Sequence, residues 1–204
     1  MTAAAVRVRT EPVTAPALAD YARVPIAFTV CERLAVVEGD DGGLGGLLLR
    51  REPVAVPWIK DYDAAPAPGG AAGERPQRWA TRFDVTRWGI LTAWADGERV
   101  GGGVVAWDTP GVDLLEGRRD LAVLWDLRVA PAWRGRGVGA LLFAAAERWA
   151  QERGAGWLKV ETQNVNVPAC RFYARRGCVL GAVHRFAYPA LPDEAQLLWY
   201  KALV

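Results

Sequence analysis

Residues Leu124–Leu142 read LWDLRVAPAWRGRGVGALL, and this stretch decides the fold. From residue 121 to residue 129, every second residue is apolar, a period typical of a strand with one apolar face: Leu121, Val123, Trp125, Leu127 and Val129. Pro131 ends the strand, because proline offers no backbone N–H to a sheet. Apolar residues then recur at helical spacing, which predicts a helix capped by Gly154: Val138, Leu141, Leu142, Ala145 and Trp149.

The turn between the strand and the helix is rich in glycine and arginine. Gly135, Gly137 and Gly139 let the backbone coil tightly and approach a ligand closely. The N–H groups at a helix start converge on such a ligand, and the helix dipole favours an anion there. Arg134 and Arg136 add positive charge beside the turn. The functional interpretation is a cradle for phosphate or pyrophosphate; the alternative is a glycine-rich turn with two solvated arginines.

Two nucleotide motifs compete for this turn. A nucleotide P-loop needs Lys-Ser/Thr after its last glycine, where this chain has Ala140-Leu141. A dinucleotide fingerprint is closer, because Gly135, Gly137 and Ala140 satisfy G-x-G-x-x-A. Glu161 follows 21 residues later, but only 43 residues remain after it, too few for the second half of a doubly wound sheet. A dinucleotide site is therefore the runner-up.

Two blocks resemble the GNAT N-acetyltransferase superfamily. The first is Arg134-x-x-Gly137-x-Gly139 after Leu127-Arg128-Val129, which is similar to the acyl-CoA signature of that family. The second is Asn166-x-x-Ala169-x-x-Phe172-Tyr173-x-x-x-Gly177-Cys178, which resembles the helix after the CoA strand pair, although the family usually has Phe at the last position. Asp126 and the segment Glu161–Ala169 look most like streptothricin-type acetyltransferases.

The resemblance implies an α/β fold in a single domain, residues 1–204. A mixed, centrally splayed β-sheet would be flanked by about four helices, with residues 120–180 as the acetyl-CoA-binding core. Residues 64–76, rich in Ala, Pro and Gly, are expected to form a flexible loop. Trp88–Trp94 and Val100–Trp107 predict a β-hairpin. Gly101–Gly103 weaken its second strand unless it bulges or another backbone or ligand comes close.

The activity implied by the resemblance is direct acetyl transfer from acetyl-CoA, a co-substrate, to an amine, without a metal. Backbone groups of Leu127 and Val129 would hold the pantetheine arm, and Arg128 between them belongs to the same cofactor-binding set. Asn166 matches a position that contacts CoA. Tyr173 matches the general acid that protonates the departing thiolate, beside the cofactor. The pyrophosphate would lie on the glycine loop: Arg134, Gly135, Arg136, Gly137, Val138, Gly139 and Ala140.

Carboxylates are the candidates for preparing a cationic acceptor amine. Asp126 and Glu161 each lie on one of the two central strands, where either can attract an ammonium group and take its proton. The alternative is that one or both pair with Arg128 or Lys159. Loop carboxylates are further candidates, with solvated charges as the alternative: Asp113 and Glu116 for the substrate amine, and Asp61, Tyr62 and Asp63 as a cation-binding wall or lid.

The amino-acid composition limits the expected partners, the cellular compartment and the available catalytic chemistry. The formal net charge of +2 gives no reason to expect a nucleic-acid partner. Three cysteines, with no leader-like or long apolar segment, predict a reducing cytoplasm and no membrane partner. His184 is the only histidine, so metal–histidine or Ser-His-Asp chemistry has little to use, and it is expected at the surface or packed. Cys170 and Cys178 are interpreted as buried thiols.

Three functions stay open at this point. The first is a small-molecule N-acetyltransferase, with an antibiotic of streptothricin type as one acceptor and a homodimer as an open assembly state. The second acetylates protein N-termini or lysines. The third is a non-enzymatic acyl-CoA-binding regulatory domain, which Asn166 and Tyr173 argue against because a pure binder needs no acid at the thiol.

Overall fold

The computed structural model describes residues 5–40, 44–64 and 75–203, which divide into two units. The first unit holds residues 5–26, 61–64, 75–159 and 202–203, and the second holds residues 27–40, 44–60 and 160–201. The single domain over residues 1–204 stays a prediction. Most of the predicted loop 64–76, residues 65–74, lies outside the described residues. Within the described ranges, no helix is long and apolar enough to cross a membrane.

Nine strands and four α-helices make up the described chain. In chain order they are β1 (Arg7–Pro12), α1 (Ala15–Tyr21), β2 (Phe28–Glu38), β3 (Leu47–Lys60), α2 (Trp79–Arg82), β4 (Gly89–Ala95), β5 (Glu98–Trp107), β6 (Leu121–Val129), α3 (Val138–Gln151), β7 (Trp157–Gln163), α4 (Val167–Arg175), β8 (Val179–His184) and β9 (Gln196–Ala202).

The first unit is built on the antiparallel strands β1-β4-β5-β6, in that order. The predicted hairpin is confirmed, because β4 pairs with β5 across a tight turn. Short helical segments between Pro76 and Arg87, including α2, were not predicted; the buried side chains of Trp79 and Val85 in these segments belong to the core. That core cluster contains Leu18, Tyr21, Trp79, Val85, Trp88, Ile90, Val104, Ala106, Val112, Leu115 and Val123.

A bulge in β6 contradicts the alternation predicted for this strand. In the pairing of β5 with β6, Trp125 has no partner and is an extra residue in β6. An extra residue of this kind shifts the alternation of the side chains by one position. Asp126 and Arg128 therefore continue the face that Val123 begins, and both reach Tyr21 in the core of that face. The prediction of one apolar face from residue 121 to residue 129 is wrong beyond Trp125.

Helix α3 follows β6 as predicted. A short helical turn, Pro131–Trp133, ends the strand, and Gly154 lies just past the helix with a φ of +78°. Val138, Leu142, Ala145 and Trp149 are buried, as the helical spacing requires. Leu141 is an exception, because 46 % of its surface is exposed.

The second unit contains the antiparallel hairpin β2–β3, residues 160–163 of β7, β8 and residues 196–201 of β9; β9 lies between β7 and β8 and is antiparallel to β8. Asn164, just after β7, fastens two segments: its amide donates to the Leu34 carbonyl at 2.9 Å, and its Oδ1 accepts from the Ala195 N–H at 2.8 Å. His184 was predicted to be either packed or at the surface, and it is exposed at the end of β8. Cys170 and Cys178 are buried thiols outside any disulfide, as predicted.

Candidate functional site

The glycine loop has the backbone geometry that an anion cradle requires. Gly135 and Gly137 have φ values of +74° and +84°, a left-handed conformation that side chains other than glycine rarely adopt. A Cβ added at either glycine would meet open space. The first helical bond runs from the Leu141 N–H to the Gly137 carbonyl at 3.1 Å. The N–H groups of residues 138–140 thus have no intrahelical acceptor and lie at the positive end of α3.

Two arginines border this loop and supply positive charge. Arg134 donates from Nε to the Val129 carbonyl at 3.0 Å and from Nη2 to the Pro25 carbonyl at 3.4 Å, which ties the loop to the end of β6. The Arg136 guanidinium lies 5.3 Å from the ring centre of Trp133. Both arginines are exposed, as are Gly135 and Gly137. Exposed N–H groups with two cations can bind a diphosphate.

Arg128 is the centre of a buried ion-pair network in the first unit. Its guanidinium binds Asp126 through two hydrogen bonds, Nε to Oδ1 at 2.9 Å and Nη2 to Oδ2 at 2.7 Å. It also donates to Asp63 Oδ2 at 2.7 Å and to the Val24 carbonyl at 3.1 Å. The exposed fractions of the side chains are 0 % for Arg128, 7 % for Asp126 and 19 % for Asp63. The predicted alternative, in which Asp126 pairs with Arg128, is therefore present.

The charge of this network is fixed by its surroundings. Burial opposes the charge of the guanidinium, but the carboxylate of Asp126 and its hydrogen bonds outweigh burial and raise the pKa of Arg128 above its ordinary value. Arg128 is thus a permanent cation between two carboxylates, which leaves the group with one net negative charge. The Arg128 side chain is hydrogen-bonded to groups inside the protein. The predicted contact of Arg128 with the cofactor would therefore be made by its backbone.

Tyr21 is a member of the network that the sequence analysis missed. Its hydroxyl donates to Asp126 Oδ1 and lies 3.3 Å from the Gly102 carbonyl, and its ring lies 4.8 Å from the Arg128 guanidinium carbon. Burial, and then the charge of Asp126, raise the pKa of Tyr21 well above its ordinary value, so the phenol keeps its proton. A Cβ at Gly102 would lie 2.6 Å from the Tyr21 ring, so Gly102, in the run Gly101–Gly103, is the sequence signal for this close approach.

Glu161, in the second unit, has different partners. Tyr188 donates from Oη to Oε1 at 2.5 Å, Gln196 donates from Nε2 to Oε2 at 2.8 Å, and Gln163 Nε2 lies 3.4 Å from Oε1. In the part of the chain that the structure describes, its hydrogen-bond partners are these three neutral donors. Glu161 is partly exposed. None of these three partners carries a positive charge, and Tyr188 and Gln196 were not predicted.

The carboxylates of the loop before β6 are partly engaged. Glu116 Oε1 accepts from Lys159 Nζ at 2.6 Å, and Glu116 Oε2 lies 3.6 Å from Arg118. Asp113 begins the helical turn Asp113–Leu115. Glu116 thus neutralises a lysine whose side chain is almost wholly buried. The substrate roles of Asp113 and Glu116 stay predictions.

Helix α4 carries the two residues that the resemblance assigned to CoA. Asn166 is its N-cap, and its Oδ1 accepts from the Ala169 N–H at 3.2 Å, which stabilises the helix start. Tyr173 is 6 % exposed and lies edge-on to Phe172, with ring centres 5.2 Å apart. Burial raises the pKa of the Cys170 thiol on the same helix, which disfavours a reactive thiolate.

Comparison with known sequences agrees with these features. The model of the acetyltransferase (GNAT) family matches residues 57–178, a range that includes both blocks of the sequence analysis. Streptothricin acetyltransferase from Streptomyces lavendulae is 30% identical over 158 residues, 78% of this chain and 76% of the relative. Streptothricin acetyltransferase A from Bacillus subtilis is 38% identical over 81 residues, 39% of this chain and 47% of the relative. The match thus spans about half the length of the Bacillus subtilis protein.

Solved structures give the same fold. Nourseothricin acetyltransferase superposes with a TM-score of 0.71 and 28% identity, over 98% of this chain and 99% of that chain. A Bacillus anthracis structure in complex with acetyl coenzyme A superposes with a TM-score of 0.70 and 23% identity, over 100% of both chains. The predicted GNAT-like α/β fold with a mixed sheet is confirmed, and four α-helices accompany it among the described residues.

The predictions of the acetyl-CoA co-substrate and of an N-acetyltransferase are confirmed by these matches. The end of β6, the glycine loop after it and the helix that carries Tyr173 hold the residues on which the prediction rested. Because the family model covers more than half of the chain, the chain belongs to the acetyltransferase (GNAT) family.

Proposed function

We propose that this enzyme transfers the acetyl group of acetyl-CoA directly to a primary amine of a small cationic molecule, an antibiotic of streptothricin type. The observation that carries the proposal is the 30% identity to the Streptomyces lavendulae streptothricin acetyltransferase, which extends over 78% of this chain. The similarity to nourseothricin acetyltransferase over 98% of the chain supports the same acceptor class.

The charges of the candidate residues suit a cationic acceptor. Glu161 is hydrogen-bonded to neutral donors, so its charge can attract an ammonium group. Asp126 and Asp63 share a single guanidinium, that of Arg128, which leaves that cluster negative. Each of these negative groups, taken by itself, suits a substrate that carries an ammonium group.

The chemistry needs three events, each with a candidate group. A carboxylate takes a proton from the acceptor ammonium, which frees the nitrogen lone pair to attack the thioester carbon. The C–N bond forms as the C–S bond breaks, and the thiolate leaves. Tyr173 supplies the proton that the thiolate takes up. Acetyl-CoA supplies the acyl group, and the loop Arg134–Ala140 holds its pyrophosphate, with Asn166 as a further contact.

A panel of amines tests the proposal. Thiol release from acetyl-CoA is followed with streptothricin, nourseothricin, free lysine and peptides that carry an N-terminal or side-chain amine. We expect release to be fastest with the antibiotics. Faster release with peptides would instead support the protein acetyltransferase, and CoA binding without release for any amine would support the regulatory domain.

The glycine loop gives the first test by mutation. Gly137→Val is expected to lower the affinity for CoA at least tenfold, because the branched side chain occupies the space in front of the helix N–H groups. Calorimetry measures the affinity, and circular dichroism checks the fold. Gly154→Val is the matched control: its φ of +78° and its open surroundings impose the same backbone strain at the other end of α3. Equal loss of affinity in both variants would contradict the cradle.

The two carboxylates give a second test. Glu161→Gln and Asp126→Asn each remove a proton acceptor, so the variant that loses the general base should lose the acid limb of the pH profile of kcat/KM for the amine. We expect this for Glu161→Gln, because Asp126 is paired with Arg128. Asp120→Asn, which changes an exposed carboxylate, is the control and should keep the profile. An unchanged profile in both test variants would show that neither residue is the base.

The setting of the reaction is part of the proposal. The net charge of +2 and the free cysteines support a small-molecule substrate in a reducing cytoplasm, without a nucleic-acid or membrane partner. Gel filtration at several concentrations distinguishes a monomer from a homodimer.

A further inference from the structure

The carboxylate of Glu161 is held by residues from three places in the second unit. Gln163 lies two positions along β7, on the same face of the strand. Tyr188 lies in residues 185–195, the segment between β8 and β9, and Gln196 is the first residue of β9. Gln163 also donates to the Tyr188 hydroxyl at 2.9 Å, so Glu161, Gln163 and Tyr188 close a triangle of hydrogen bonds.

The end of the segment 185–195 is itself fixed. The Ala195 N–H donates to Asn164 Oδ1 at 2.8 Å, and the Asn164 N–H donates to the Ala195 carbonyl at 3.0 Å. Glu194 accepts from Lys60 Nζ at 2.5 Å in a largely buried ion pair. Because Glu194 and Ala195 are anchored, Gln196 is fixed beside Glu161 at one oxygen while Tyr188 holds the other.

The Glu161 carboxylate has room for one more hydrogen-bond donor. A carboxylate offers about four lone-pair sites on its two oxygens, and Tyr188, Gln196 and Gln163 supply three donors. The Tyr188 contact of 2.5 Å is in the range of charge-assisted hydrogen bonds, which are shorter and stronger than neutral ones. These donors orient the anion without cancelling its charge, so the remaining site suits the N–H of an ammonium group.

We propose that Tyr188 is a positioning residue that, with Gln196, orients Glu161 toward the acceptor amine. This inference rests on the proposed function. Tyr188 does not touch the reacting atoms; it acts by holding one carboxylate oxygen so that the free lone pair meets the ammonium. The segment between β8 and β9 thereby contributes to selection of the acceptor, although it lies outside both blocks that resemble the family.

A double-mutant cycle on the full chain tests this role, with an antibiotic that the wild-type enzyme acetylates. Tyr188→Phe keeps the ring and removes the donor, and we expect kcat/KM for the amine to fall about tenfold, the scale of hydrogen bonds to charged groups, while KM for acetyl-CoA stays unchanged. Gln196→Met removes the donor to the other oxygen and should act in the same direction. Glu161→Gln should cost more, and Tyr188→Phe added to Glu161→Gln should cost nothing further.

If the losses of kcat/KM in Tyr188→Phe and Glu161→Gln multiply in the double variant, the proposal is overturned, because Tyr188 would then act independently of Glu161. Full activity of Tyr188→Phe would also overturn it. Phe186→Ala is the control, since this side chain in the same segment is 77 % exposed, and it should keep wild-type kinetics. Failure of the wild-type enzyme to acetylate any amine would instead contradict the proposed function itself, which separates the two results.

Discussion

Tyr173→Phe is expected to lower kcat by about 10²–10⁴-fold, the range typical of general acid catalysis. The substitution keeps the ring, which is 6 % exposed and packs edge-on against Phe172, and deletes only the hydroxyl. A phenol has a reference pKa of about 10, so it is protonated at neutral pH and can donate to a leaving thiolate. Steady-state kinetics with saturating amine measure kcat, and calorimetry should show that acetyl-CoA still binds.

A change of donor separates acid catalysis from a structural effect. The loss in Tyr173→Phe should shrink with an acyl donor whose thiol leaves more easily, because such a thiolate needs less help from an acid. Tyr200→Phe, on β9, is a matched substitution of a tyrosine without a proposed role. A Tyr173→Phe variant that retains most of its kcat would contradict the assignment, and thiolate departure would then need no acid from the protein.

Arg128→Met is expected to lower the free energy of unfolding by about 3–5 kcal/mol, because removal of one partner leaves buried charges uncompensated. Asp126 and Asp63 would lose their shared cation, and the Val24 carbonyl would lose a donor. Methionine fills a similar volume, so the loss reports charge more than packing. Urea unfolding followed by linear extrapolation measures the change.

Arg118→Met is the matched control for burial. Arg118 binds Asp120 through Nε at 3.0 Å and Nη2 at 2.8 Å, the same two-bond geometry across two residues as in the pair of Arg128 with Asp126. The control side chains are 39 % and 57 % exposed, however, and exposed pairs contribute about 1 kcal/mol or less. Equal losses in Arg118→Met and Arg128→Met would contradict the account of a buried network.

Local patterns predicted the elements around the glycine loop because neighbouring residues determine them. Pro131 ends β6, and Gly137, which has a left-handed φ, is the N-cap at which α3 begins. Both effects can be read from a few consecutive residues. The bulge at Trp125 could not be read in this way, because a bulge is set by the register with β5. One extra residue was enough to place Asp126 and Arg128 on the face that the alternation had assigned to apolar residues.

Apart from the pair of Asp126 with Arg128, the partners of the candidate carboxylates were beyond the reach of sequence patterns. Tyr21 and Asp63 meet Arg128 from positions 107 and 65 residues earlier, and no periodicity links such distant residues. Tyr188 likewise lies 27 residues after Glu161. Gly102 in β5 was the sole local sign of Tyr21, and a glycine indicates a close approach without naming the residue that approaches. Whether a carboxylate is neutralised therefore emerged only from the three-dimensional structure.

Transfer of a labelled acetyl group tests the central claim most directly. The enzyme is incubated with acetyl-CoA labelled in the acetyl group and with streptothricin, and the label is located by mass spectrometry. The account predicts one labelled acetyl group on a primary amine of the antibiotic and none bound covalently to the protein. Label on a protein side chain as an intermediate, or an antibiotic that stays unlabelled while CoA is released, would contradict direct transfer to a small cationic amine.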